Sequence, residues 1–326
     1  MADNDNENGA GGENWERELL NRLSFASLAE QRRTRRWGIF FKLLTFAYLA
    51  YLLVILATAF QGREVSDKVG KSGGHTAVVE VNGMISDASR ANADNIIKGL
   101  RDAYANRNTK GIVLRINSPG GSPVQSDYVY REIMRLKGKH PEIPLHAVIV
   151  DVGASGAYYI ASAADNIYVN PSSVVGSIGV LMNGFGFVDA MDKLGVERRL
   201  LTAGENKGML DPFLPLKDED VAHIKGVLGA IHQEFVEAVK AGRGERLAEN
   251  SQLFSGMFWS GAESIELGLA DEVGDVGYVA REVIKVDNVV DFTHKPDFLE
   301  RFADRMGASM ANVVSEKMGL NPGIIR

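Results

Sequence analysis

The stretch from Asp151 to Ala164, Asp-Val-Gly-Ala-Ser-Gly-Ala-Tyr-Tyr-Ile-Ala-Ser-Ala-Ala, leaves this chain few folds to choose from. Residues 143–150 before it are apolar and rich in branched side chains, as a buried parallel strand requires. The residues after it are alanine-rich, with aromatics at helical spacing. Between them Gly153-Ala154-Ser155-Gly156 offers small side chains for a tight strand-to-helix turn. Such a turn lifts one side chain off the sheet and aims a helix N-terminus at whatever binds there. Ser155 stands at that point. Its hydroxyl is either a helix N-cap, satisfying an orphan amide, or a nucleophile.

The same alternation runs through the rest of the chain. Strands are expected at 77–81, 111–116, 166–170 and 198–201, and helices at 92–106, 123–137, 189–194 and 217–240. Residues 174–180 form a glycine-punctuated apolar segment, and 258–275 hold a helix ending at Gly268 and a final short strand. Ser122 with Gln125 reads as a capping box, and Pro123 suits the first helical position. Strands alternating with helices imply an α/β fold with a mainly parallel sheet over 76–326.

A different architecture precedes it. Residues 1–36 form a polar tail ending in Arg32, Arg33, Arg35 and Arg36, and 37–60 are apolar except for Lys42. That run is long enough to cross a bilayer, with Lys42 snorkelling to the interface. The arginines place the N-terminus in the cytoplasm and the remainder outside. Ala57-Thr58-Ala59 mimics a signal-peptidase site, but the run is too long and starts too late for a usual cleaved leader. A polar linker, 61–75, joins the two parts.

The chain has no cysteine, which excludes disulfides and thiolate metal sites, and its six histidines lack metal-motif spacing. A net charge of −6 without a basic stripe in the globular part argues against a nucleic-acid partner.

A nucleophilic serine needs a base. Between Ser155 and Lys207 there is no histidine. His146 opens the strand leading to Ser155 and belongs at the far end of the sheet, while His223 and His232 lie among charged neighbours of a helix. A Ser-His-Asp triad is therefore disfavoured. Lys207, alone between glycines in a loop, is the alternative base; to act it must be neutral, which burial in a dry pocket achieves. Read by itself it is an ordinary exposed lysine. Gly120 and Gly121, after Pro119 at a strand end, make either a tight turn or, with Gly156, an oxyanion hole of backbone amides.

Taken in order, five segments resemble the signal peptide peptidases of the S49 serine peptidase family, in the short bacterial form with one catalytic unit. They are Asn117-Ser118-Pro119-Gly120-Gly121, Gly153-Ala154-Ser155-Gly156-Ala157-Tyr158-Tyr159, Gly176-Ser177-Ile178-Gly179, Lys207 ahead of Asp211-Pro212-Phe213, and Trp259-Ser260-Gly261-Ala262 through Gly268-Leu269-Ala270-Asp271. The resemblance covers residues 76–280. It implies a Clp/crotonase-type fold with a Ser-Lys dyad: Ser155 as nucleophile, Lys207 as base and then acid, Ser177 orienting the lysine, and Gly121 and Gly156 as oxyanion amides. The related Clp protease needs a histidine near Gly179 and Val180, where this chain has none.

The resemblance further implies a homo-oligomeric ring in which a site can draw residues from neighbouring subunits. It implies no metal or organic cofactor. The expected substrates are apolar peptides such as remnant signal peptides, met at the cytoplasmic (inner) membrane by a single-pass protein with its catalytic domain on the periplasmic or extracytoplasmic side. A crotonase-type acyl-CoA enzyme would share the fold and the glycines without needing Ser155 or Lys207. A non-enzymatic membrane scaffold would need none of these residues.

Overall fold

A computed structural model describes residues 35–53 and 73–295. The chain divides into two compact units, Met1–Ser72 and Gly73–Arg326. The described part of the first is one helix, α1 (Arg35–Leu53). All of its side chains are exposed, including Leu53 and Phe46, and Trp37 stacks on Phe41 at 5.8 Å. Nineteen residues rise about 28 Å, close to the thickness of a hydrocarbon core. The described helix includes Arg35 and Arg36, just ahead of the expected span. Residues 54–60, with Ala57-Thr58-Ala59, lie outside the described residues, as do 1–34, most of the linker and 296–326.

The second unit is built on an eight-stranded sheet. Its centre is β1 (His75–Asn82), β2 (Thr109–Ser118) and β3 (Leu145–Ala154), adjacent and parallel in the order β3-β2-β1. Ala77, Val79, Ile112, Leu114, Ala147 and Ile149 are buried on one face of these strands, under α2 (Ala93–Ala105) and α3 (Pro123–Lys139). On the other face Val78, Val113 and Val148 pack with Tyr168 and Val279. Strands covered on both faces explain the continuous apolar runs.

The outer edge of β3 is shared. Its first half pairs with β4 (Asn166–Val169) and its last residues with β5 (Val174–Gly176), so β5 lies beside the end of the strand that delivers Ser155. β6 (Phe258–Ser260) joins β5 antiparallel, β7 (Glu272–Val273) joins β4, and β8 (Val289–Asp291) adds an edge to β1. Six of these seven pairings are parallel. The remaining helices include α4 (Gly156–Ala161), α5 (Val188–Leu194), α6 (Asp218–Arg243) and α7 (Gly261–Glu266).

Three local readings change. The expected strand at 198–201 is irregular: Arg198 turns to Asp211 (2.9 Å), and Leu201 is 96% exposed. β8, three residues flanked by polar ones, has no counterpart among the expected strands; its extension docks through Phe292 N–H donating to the Val78 carbonyl (2.8 Å). The capping box is half formed. Ser122 Oγ accepts from the Gln125 amide (3.4 Å), but the Gln125 side chain accepts from the Ala93 amide (2.7 Å), capping α2 instead of its own helix. The Ser122 amide is taken by the Ile85 carbonyl (2.8 Å).

Candidate active site

β3 ends at Ala154 and α4 starts at Gly156, so Ser155 alone makes the turn between them. It does so at φ 54° and ψ −128°, a left-handed backbone that is costly for a residue with a β-carbon. Its amide donates to the Gly176 carbonyl (2.8 Å), and its carbonyl accepts from Tyr159 N–H (3.0 Å). Its hydroxyl caps nothing: no side-chain hydrogen bond reaches the amides of α4. The N-cap reading therefore fails, and what holds the strained turn is backbone bonding and packing. All six residues of α4 are buried, and the Tyr158 hydroxyl donates to the Leu269 carbonyl (2.8 Å).

The glycine loop after β2 lies directly against this turn. A β-carbon at Gly120 (φ 94°) would sit 2.7 Å from the Gly156 nitrogen and 2.8 Å from Ser155 Cβ. At Gly121 (φ 150°) it would strike the Ile85 carbonyl oxygen. One at Gly156 would lie 3.3 Å from the Gly121 nitrogen. Glycine is required at Gly120 and Gly121 because backbone meets backbone, and at Gly156 because a β-carbon would strike the Ser126 hydroxyl. The amides of Gly121 and Gly156 are thereby neighbours beside Ser155, and among the described residues neither has a hydrogen-bond acceptor.

Ser177 is the second strained serine, at φ 52°. It follows Gly176, whose carbonyl binds the Ser155 amide, and its own amide donates to the Met257 carbonyl (2.7 Å). Trp259 packs on Gly176, where a β-carbon would be crowded at 3.0 Å and strained by the φ of 102°. The Trp259-Ser260-Gly261-Ala262 signature thus buttresses the Ser177 turn from β6. The Gly268-Leu269-Ala270-Asp271 signature does the same for α4. Arg243, whose side chain is fully buried, donates two hydrogen bonds to Asp271 (2.8 and 2.9 Å) and one to the Gly268 carbonyl (2.9 Å). Burial opposes ionisation of Asp271, but Arg243 and the Ile167 amide hold its carboxyl below the usual carboxylate range.

Lys207 lies in the exposed segment 201–207. It is exposed, its amide donates to Gly204 (3.2 Å), and no hydrogen bond joins it to Ser155. Its loop is braced at the following motif. Asp211 accepts from Arg198 (2.9 Å) and from the Phe213 amide (2.9 Å), and Phe213 stacks on Phe187 at 5.4 Å. With part of α6 this arm encloses a cavity of about 1050 Å³, lined by Phe187, Leu200, Met209, Leu214, Ile224 and Leu228. The structure therefore brings Ser155, Ser177, Gly120, Gly121 and Gly156 together, and no hydrogen bond joins Lys207 to them.

The histidines fall as the sequence suggests, with one exception. His146 is buried at the start of β3, nine residues before Ser155 and so about 30 Å away along the strand. His223 is exposed, but His232 donates from Nε2 to the Ile178 carbonyl (3.2 Å). No local pattern announces that contact, because it joins elements 54 residues apart.

A model of peptidase family S49 matches residues 137–290. Residues 137–290, a little under half of the chain, carry this S49 domain. The S49 match spans Ser155, Ser177, Lys207 and both buttressing signatures, while Gly120 and Gly121 precede it. With the family comes the Clp/crotonase-type fold, of which this mainly parallel α/β sheet is an instance. Among curated relatives, the chain is 46% identical over 177 residues to a protein of Brucella melitensis named Na(+)/H(+) antiporter NhaA, covering 54% of this chain and 24% of that protein. It is 28% identical over 213 residues to a putative signal peptide peptidase SppA of Enterococcus faecium (63% and 61%), and 30% identical over 190 residues to a putative protease of Methanocaldococcus jannaschii (58% and 60%). The chain thus spans about a quarter of the Brucella protein and about three fifths of the other two. Most of the antiporter-named protein lies outside the match.

Proposed function

We propose that this chain is a membrane-anchored serine endopeptidase that cleaves apolar peptides, with Ser155 as nucleophile and Lys207 as general base. The observation that carries the reading is the Ser155 turn: a strained serine, its hydroxyl free of capping duty, beside two neighbouring amides that have no acceptor among the described residues. In the reaction, neutral Lys207 Nζ takes the Ser155 Oγ proton as Oγ attacks the scissile carbonyl carbon. The Gly121 and Gly156 amides receive the developing oxyanion, a term worth about 3 kcal/mol per donor in comparable sites. Protonated Lys207 passes its proton to the leaving amine. Water, deprotonated by the same lysine, then releases the acyl group and restores both residues. Ser177 orients the lysine. An acyl-CoA enzyme could use the same amides but has no use for a strained serine between them.

The exposed position of Lys207, unbonded to Ser155, supports a dyad closed between copies in a homo-oligomeric ring. So does the apolar surface of the arm, where Leu181 is 80% and Phe185 82% exposed. Patches of that kind on a soluble domain mark interfaces. The Arg-flanked α1 supports a single-pass anchor in the cytoplasmic membrane, N-terminus inside and peptidase domain outside. Substrates lying in or on the bilayer, remnant signal peptides above all, suit an anchored enzyme.

The test is cleavage of an apolar signal-like peptide by the full-length chain in detergent micelles, comparing wild type with Ser155→Ala and Lys207→Ala. Both substitutions are expected to abolish turnover, by about 10⁴-fold or more, while leaving melting and assembly intact. Near-normal activity in Lys207→Ala would move the base elsewhere. An inert wild type that resists acylation of Ser155 by a fluorophosphonate would favour the scaffold reading.

A further inference from the structure

The strained turn 176–179 is held by neighbours on three sides. The Ser155 amide bonds the Gly176 carbonyl, the Met257 carbonyl takes the Ser177 amide, and Trp259 closes over Gly176. Among the described residues, the hydrogen bond that reaches this turn from a side chain is the one from His232 Nε2 to the Ile178 carbonyl. A carbonyl only accepts, so Nε2 carries the proton in this contact.

His232 is well placed to act as a tether. Residues 218–231 of α6 include no buried side chain and run along the arm, where Val221, Ile224 and Leu228 line its cavity. From Phe235 onward the same helix is fixed in the core. Phe235 stacks on Tyr159 of α4 at 4.9 Å, Val236 and Val239 are buried, and Arg243 is locked to Asp271. His232 stands one turn before Phe235, where the anchored half begins. The imidazole therefore connects the best-held part of α6 to the residue after Ser177.

We propose that His232 is a positioning residue for the reaction: by fixing the Ile178 carbonyl it holds Ser177, and through Gly176 the Ser155 turn, in their strained conformation. The proposal rests on the peptidase reading for its kinetic consequence but not for its structural one. Ser177 at φ 52° has a lower-energy backbone available once its tether is gone, and small displacements of positioned groups are costly in rate.

The test uses the full-length chain in detergent micelles, with His232→Phe, which keeps a ring of similar size but no donor, and His232→Gln, whose side-chain amide can still donate. The Phe variant is expected to lose about tenfold or more in kcat on the apolar peptide, with KM within about twofold of wild type. The Gln variant should stay within about threefold of wild type, and melting should confirm that both are folded. Hydrogen exchange at 176–180 reads the tether without any activity: protection should fall in the Phe variant and persist in the Gln variant. Unchanged exchange and kcat in His232→Phe, or a Gln variant as impaired as Phe, would overturn the proposal. A wild type inert toward peptides, with the expected exchange pattern intact, would instead sink the peptidase reading and leave the tether standing.

Discussion

The turn at Ser155 and the arm carrying Lys207 belong to one domain but are made in opposite ways. From Gly156 to Ala164 every side chain is buried, and the turn is fixed by backbone bonds to β5 and by glycines against which nothing larger fits. From residue 181 to 217 no side chain is buried, and Leu201 is almost fully exposed. The chain's own core therefore fixes Ser155, the proposed nucleophile, and the amides beside it. It does not fix Lys207, the proposed base. An apolar arm with little to pack on within its own chain is what a subunit contributes to a neighbour, and under the ring proposal the two halves of the chemistry meet only on assembly.

The sharpest way to break this contrast is to separate the halves. Ser155→Ala and Lys207→Ala chains, each inactive alone, are mixed by co-expression. If the dyad forms between copies, mixed rings regain peptidase activity, up to about a quarter of the wild-type level for random assembly. If the dyad forms within one chain, no mixture regains activity. The contrast would then describe a mobile base and not a shared site.

The next effect lies in the buried support of the Ser155 turn. Asp271→Ala leaves the Arg243 guanidinium buried without its partner, which typically costs about 3–5 kcal/mol. A large drop in the denaturation midpoint is expected. Should the midpoint barely move, the core would not be a rigid frame set against a loose arm, and the strain at Ser155 would need another support.

Much of the frame is legible in the sequence alone. The strand–turn–helix at Ser155 can be read there because its signals are local: a branched apolar run, small residues, then helical spacing. The same holds for the helix expected at 92–106, found at Ala93–Ala105, and for the long helix expected at 217–240, found at Asp218–Arg243. What escapes such reading depends on who meets whom. Gln125 has a capping box within its own segment and leaves it for Ala93, because the Ser122 amide is already engaged by Ile85. Arg198 and Leu201 fit a strand pattern but join no ladder, and Arg198 bonds Asp211. His232 has charged sequence neighbours that suggest a solvated ring, yet the ring reaches across to Ile178. The motif glycines are legible as glycines. Only the fold shows that Gly120 touches Ser155 and Gly121 touches Ile85.

The smallest effect separates the frame from the arm by acid. Glu132 on α3 binds Arg135 (2.6 and 2.7 Å) on its own helix and Arg101 (2.7 Å) on α2, clasping two helices that cover the sheet. Arg135, against the opposing effect of burial and with help from Arg101, holds the Glu132 carboxyl down to about 2 from an ordinary 4.5. A carboxyl depressed on folding stabilises the folded state above its unfolded pKa and loses that contribution as pH falls through the folded one. The Glu132 contribution is therefore complete above about pH 5 and fades between 4.5 and about 2. Both arginines are substantially solvent-exposed, so the net value is set at about 1 kcal/mol. Melting curves of wild type and Glu132→Gln between pH 7 and pH 3 should show a gap that is widest at neutral pH and narrows on acidification. The arm, whose contacts do not involve this clasp, should keep its exchange rates in the variant at pH 7. A gap that persists unchanged to pH 3 would mean that Glu132 acts through shape and not charge. Faster exchange at 200–215 in the same variant would show frame and arm to be coupled, against the division drawn between them.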